Sequence, residues 1–115
     1  MLNLGKWGIA FFEVRRDIKL ASCTSIGGEA FRECESLTSV SFPVCTSIGT
    51  YAFYSCLSLT SLYFTGSSVP SIASNSFYNI SSTATFYVAS SMVNAFKSAS
   101  YWSTFASQIV AYEGE

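Results

Sequence analysis

The sequence predicts a short α/β solenoid: coils of one strand and one tight return, stacked into a parallel sheet and closed by a helical segment. Three observations carry this expectation. A block of about twenty residues recurs at an offset of 22. Within each block a short stretch such as Val40-Ser-Phe42 alternates apolar and polar, the period of a half-buried strand. A single coil of this kind has nothing to bury its apolar edge against, so coils must stack.

Composition bounds the answer. The chain has 115 residues, 50% of them hydrophobic and 17% aromatic, enough for one packed domain and too apolar for disorder. Charged residues make up 11%, against about 25% in ordinary domains. Six Lys and Arg against seven acids supply no basic patch, which argues against nucleic acid as a partner. The absence of His removes imidazole metal ligands and every His-based triad. Residues 36–96 contain no Asp, Glu, Lys or Arg, so Ser, Thr, Asn and Tyr must keep that stretch in solution. The apolar start, Met1 to Phe12, is too short to span a bilayer and lacks the pattern of a secretory leader. No membrane insertion is expected.

The elements follow in order. Cys23-Thr-Ser-Ile-Gly-Gly-Glu-Ala-Phe-Arg-Glu-Cys-Glu-Ser-Leu-Thr-Ser-Val-Ser-Phe overlies Cys45-Thr-Ser-Ile-Gly-Thr-Tyr-Ala-Phe-Tyr-Ser-Cys-Leu-Ser-Leu-Thr-Ser-Leu-Tyr-Phe. In a third copy, Ile72, Phe77, Ile80, Phe86 and Val88 replace Ile48, Phe53, Cys56, Leu62 and Phe64. A degenerate copy precedes these, with Leu4-Gly5 in the place of Ile26-Gly27 and Ile18 in that of Val40. Pro43 and Gly66 end strands, and Ile-Gly turns the chain. Ala30-Phe31-x-x-Cys34 has the spacing of a short helix or 3₁₀ turn. Residues 1–88 are thus expected to form the coils, with 1–17 as a degenerate N-terminal edge. Residues 89–115 are expected to close the stack. There Ser90 or Ser91 would cap a helix whose apolar face is Met92, Val93, Phe96 and Ala99, continued by Trp102 and Phe105. Ile109-Val-Ala-Tyr112 reads as a last strand.

The pattern Leu37-x-x-Val40-x-Phe42-Pro43-x₄-Ile48-Gly49-x-x-Ala52-Phe53-x-x-Cys56-x-x-Leu59 resembles the BspA-like leucine-rich repeats of bacterial and some protist surface proteins. The segment from Phe86 to Val110 is similar to the one that ends such arrays, except that Ala89 stands where the family usually has Pro. The resemblance implies a short right-handed leucine-rich-repeat solenoid with short helical or 3₁₀ returns and a helical C-terminal cap. It also implies an extracellular or cell-surface recognition protein that binds host matrix proteins, other cells or a glycan.

Candidate chemistry is sparse. Cys23 and Cys45 share one repeat position, and Cys34 and Cys56 another. Equivalent residues one coil apart sit about 4.7–4.9 Å from each other, within Cα range of a disulfide but with parallel side chains. There is no CxxC, so a zinc site is not expected. The favoured reading is four small core residues. Glu29, Glu33 and Glu35 cluster near Arg32, which reads as a solvated charged face on a short helix and not as a glycosidase pair. No catalytic residue, cofactor or metal site is assigned, and the chain is not expected to be an enzyme.

What remains is surface. Alternation turns two rows outward: Lys19, Ser41, Tyr63 and Tyr87, and Asp17, Ser39, Ser61 and Thr85. Tyr with Ser suits recognition, the first for rigid contact area and the second for adaptable hydrogen bonds. A stacked Tyr63–Tyr87 pair would also stabilise the sheet. A second set, Tyr51, Tyr54 and Tyr78, lies on the return side. Leu4, Trp7 and Phe11 are large apolar residues near the start. They are expected to form a cap, a homodimer edge or the junction with a longer array. Two functions stay open: a recognition module for a protein or glycan, and a structural or self-associating end piece of a longer protein.

Overall fold

The computed structural model describes residues 2–4 and 16–112. Its strands are β1 (Leu2–Leu4), β2 (Asp17–Lys19), β3 (Cys23–Ile26), β4 (Ser39–Ser41), β5 (Ser47–Ile48), β6 (Ser61–Phe64), β7 (Thr85–Ala89) and β8 (Ile109–Tyr112). Between β7 and β8 lie a 3₁₀ segment, Ser90–Met92, the helix α1 (Val93–Ser98) and a second 3₁₀ segment, Trp102–Gln108. The main sheet has the order β2-β4-β6-β7-β8, with every pair parallel. Its register is the repeat made visible: Ile18 lies opposite Val40, Val40 opposite Leu62, Leu62 opposite Phe86, and Phe86 opposite Ile109.

The coil differs from expectation in two places. The Ile-Gly segment is no simple turn, because β1, β3 and β5 form a second, three-stranded parallel sheet. Leu4 pairs with Ile26 there, and Ile26 with Ile48. Gly49 follows β5 without a positive φ. A Cβ placed on Gly49 would stand 2.6 Å from the Gly28 nitrogen and 2.9 Å from its Cα. Glycine is required by the approach of two coils, not by a turn dihedral. Gly49→Ala should therefore destabilise by about 1–3 kcal/mol, the range of a forced overpacking. Gly28→Ala, whose Cβ would meet the Thr50 oxygen at 3.2 Å, should cost clearly less. Urea unfolding of both variants checks the order.

The returns keep the i→i+3 bond of a 3₁₀ turn but do not run on as a continuous helix. Across residues 28–33 the chain makes successive turns, with Ala30 N–H bonded to Gly27 O, Arg32 N–H to Glu29 O and Cys34 N–H to Phe31 O. The intervening residues donate to the next coil: Glu29 to Thr50 O at 3.0 Å, Phe31 to Ala52 O at 2.8 Å and Glu33 to Tyr54 O at 2.7 Å. Phe53 and Ser55 repeat this toward Ser76 and Tyr78. A helix of five residues is marginal on its own. Alternating turn and coil-to-coil bonds satisfies every one of these groups and joins the coils. The geometry places Glu29, Glu33, Tyr51, Ser55 and Asn79 at φ between 55° and 64°. Glu29 and Glu33 therefore sit in turns on either side of Arg32, at 3.6 and 3.9 Å from its guanidinium, not one above the other on a helix.

Inside, the ladders carry the fold. Phe31 stacks on Phe53 at 5.0 Å, and Phe53 on Phe77 at 5.3 Å. Ile26, Leu37, Val40, Leu59 and Leu62 are fully buried around them. The third coil puts Ser76 where its neighbours have Ala52 and Ala30. Its buried hydroxyl donates to Gly49 O at 2.9 Å and accepts from Ala73 N–H at 2.9 Å, so the polar substitution is satisfied.

The last segment covers the final coil. Neither Ser90 nor Ser91 caps a helix by side-chain hydrogen bond. A 3₁₀ turn precedes α1, and the expected apolar face is broken at Tyr101, whose φ is 66°. Phe96 and Trp102 are nevertheless buried, and Ile109 starts the strand expected for it. Trp7 and Phe11 lie outside the described residues, as does the side chain of Leu4.

Candidate recognition face

Strand parity sorts the main sheet into two chemistries. Ile18, Val40, Leu62 and Phe86 point inward and are buried. Between and beside them the outward rows align as the repeat requires. Asp17 lies opposite Ser39, Ser39 opposite Ser61, and Ser61 opposite Thr85. Lys19 lies opposite Ser41, Ser41 opposite Tyr63, and Tyr63 opposite Tyr87. All eight expected residues therefore share one face.

The tyrosines are ordered by the register. Tyr63 and Tyr87 stack at 4.7 Å with 13° between their planes. Tyr112 stands edge-on to both, at 5.2 Å from Tyr63 and 6.2 Å from Tyr87. It reaches them because its own strand neighbour is the small Ala89. A groove of about 410 Å³ runs along this face, lined by Asp17, Lys19, Ser39, Ser41, Tyr63, Thr65 and Tyr112. Thr65 and Tyr112 are additions to the expected set, and Val110 extends the Lys19 row beyond Tyr87. Parity gives the signal for Tyr112: once Ile109 faces inward, Tyr112 must face outward. Ser61, Thr85 and Tyr87 lie on the face but outside the groove lining.

A smaller recess of about 210 Å³ opens on the return side between Glu29, Arg32, Tyr51 and Tyr54. There Tyr54 stacks on Tyr78 at 5.6 Å, and the Arg32 guanidinium lies 5.3 Å over the Tyr54 ring. This row, Arg32-Tyr54-Tyr78, is again one repeat position. Its rings and its Glu29–Arg32 pair already contact each other.

The cysteines are interior groups. All four are thiols and buried. The Cys45 thiol donates to Ser47 O at 3.4 Å, and burial pushes its pKa up to about 12 from an ordinary 9.0. The Cys56 pKa is also raised, first by its hydrogen bond with the Cys34 thiol and then by burial. The folded chain holds both protons at a pH where an unfolded thiol has lost them. Their stabilisation is whole below about pH 9 and declines as pH rises toward 12. Cys45 alone should therefore subtract stability as pH rises through that window, and Cys56 acts in the same direction. Urea unfolding between pH 8 and 10.5 checks this: the decline should be shallower in Cys45→Ala than in the wild type. Among the described residues no group of three or more Cys, Asp or Glu could hold a metal ion. No helix among them is long and apolar enough to cross a membrane.

Stacked parallel coils with a buried apolar ladder and an outward hydroxyl-rich sheet define a leucine-rich-repeat solenoid. The chain belongs to the family described as BspA type leucine-rich repeat region (6 copies), which matches residues 15–112. No curated protein and no solved structure matches the chain. The family is typically non-catalytic, bacterial and surface-located or secreted, and it points to protein interaction or adhesion.

Proposed function

We propose that the chain is a non-catalytic recognition module of a bacterial cell-surface or secreted protein, binding a protein or glycan partner through the outward face of the main sheet. In this reading residues 1–88 supply the coils and residues 89–115 close them. The observation that carries it is the tyrosine group Tyr63, Tyr87 and Tyr112 on a face whose other residues are mostly Ser and Thr, with Asp17 and Lys19 at one edge and Val110 at the other. Rigid rings beside short hydroxyls give contact area with little conformational entropy to lose. With no charge on β4, β6 or β7, attraction over distance is weak, and affinity must come from contact.

A solid-phase screen tests the reading. Matrix proteins, mucin and glycans are immobilised and probed with wild type and with Tyr63→Ala/Tyr87→Ala. Binding should be found and should fall at least tenfold in the double variant. Binding that survives the double variant would move recognition off this face. No binding at all, with a double variant that loses stability, would favour a structural end piece or a homodimer through Leu4, Trp7 and Phe11.

A further inference from the structure

We infer that the groove over Ser41 is a carbohydrate site that takes one neutral pyranose ring against the open face of Tyr63; this rests on the recognition reading above and names its ligand class. Tyr87 occupies one face of Tyr63 at 4.7 Å. The other face looks along the row toward Ser41 and then Lys19. Ser41 is short, so the row has a gap one side chain wide. Its walls, the Tyr63 ring and the Lys19 stem, stand on strands about 9–10 Å apart, two strand spacings. Contacting carbon atoms lie about 3.5–4 Å apart, so a flat ring between the walls would need about 7–8 Å. The gap exceeds that, and a puckered saturated ring fits it better than a flat aromatic one.

The rim has matching chemistry. The Ser39, Ser41 and Thr65 hydroxyls give and accept hydrogen bonds, the Asp17 carboxylate accepts, and the Lys19 ammonium donates. Tyr112 closes one side with its ring. A ligand that shows one C–H face and hydroxyls at its edge matches these groups in kind. The single acid and single base leave the groove near neutral, which selects against a charged sugar. A protein partner would want a deep apolar pocket for an aromatic or Arg anchor. The groove offers one ring face and five polar side chains instead.

Saturation-transfer NMR on the full chain tests this, with glucose, galactose, mannose, N-acetylglucosamine and N-acetylneuraminic acid as probes. Transfer should reach the ring C–H protons of at least one neutral sugar at millimolar concentration. Ser41→Phe, which fills the gap, should abolish the signal. Ser41→Leu, a smaller plug, should reduce it and guards against misfolding of the first, with urea midpoints checking both. Tyr63→Ala should weaken binding at least tenfold, and Tyr87→Ala less. No transfer from any neutral sugar, transfer from N-acetylneuraminic acid alone, or full transfer to folded Ser41→Phe would overturn the inference. If immobilised proteins bind and Tyr63→Ala/Tyr87→Ala loses them while no sugar binds, the carbohydrate assignment fails and the recognition reading stands. If nothing binds, both fail.

Discussion

Phe53→Ala should destabilise the chain by about 3–5 kcal/mol, the range for emptying a buried aromatic site. Phe53 has no exposed surface and sits between Phe31 and Phe77, with stacking distances of 5.0 and 5.3 Å. It also contacts Phe42 at 6.3 Å. Truncation therefore removes the middle ring of a continuous stack and separates the coils on either side. The neighbours cannot close the void, because their backbones are held in register by coil-to-coil hydrogen bonds. Phe53→Leu refills most of the volume and should cost less than half as much. Urea midpoints measure both, and a loss below about 1 kcal/mol for Phe53→Ala would show that the ladder does not hold the coils together.

Trp102→Ala should have a comparable effect at the end of the stack. Its indole is buried and touches Phe64, Phe77, Phe86 and Phe96 at 5.7, 5.6, 5.4 and 5.0 Å. Its Nε1–H donates to Pro70 O at 2.7 Å. That bond ties the closing segment to the loop that carries the extra residues of the third copy. About 3–5 kcal/mol should be lost with the whole side chain. Trp102→Phe keeps most of the packing but leaves the Pro70 carbonyl buried without its donor, which costs about 1–3 kcal/mol. The difference between the two variants separates packing from the hydrogen bond.

The parts of the fold that a period can encode were legible in the sequence. A strict offset of 22 places Val40 beside Leu62 and Tyr63 beside Ser41, and the structure has those pairs. The third copy keeps the pairing at Leu62–Phe86 despite its two extra residues. Elements too short to show a period were legible only in part. Ser47–Ile48 is a two-residue strand, too brief for alternation, so the second sheet is invisible until coils are stacked. Ala-Phe-x-x-Cys has a spacing of three, which suits one helical turn and a chain of tight turns equally. What decides is the demand for hydrogen bonds between coils, a tertiary property. The Ser90 and Ser91 caps failed for a related reason: Ala89 ends β7 and the chain enters a 3₁₀ turn with no side-chain cap.

The candidate face divides in the same way. Its rows followed from parity and repeat, so Asp17, Lys19, Ser39, Ser41, Ser61, Tyr63, Thr85 and Tyr87 were all placed on one side. The groove did not follow, because it depends on the contrast between a short Ser41 and a long Tyr63 and on Tyr112 folding across Ala89. Tyr112 arrives from the closing segment, outside the repeat that named the others.

Equilibrium urea unfolding of Tyr63→Ala/Tyr87→Ala beside Phe53→Ala tests most directly the claim that inward rows hold the fold and outward rows are left for a partner. Tyr63 and Tyr87 are half-buried, and a stacked aromatic pair is worth about 0.5–1.5 kcal/mol beyond its area. The area lost with two half-buried rings adds to this, but no cavity is left in the core, so the double variant should lose clearly less than Phe53→Ala, whose ring is fully buried. A loss equal to that of Phe53→Ala would make the tyrosine row part of the core structure and contradict the assignment of this face to recognition.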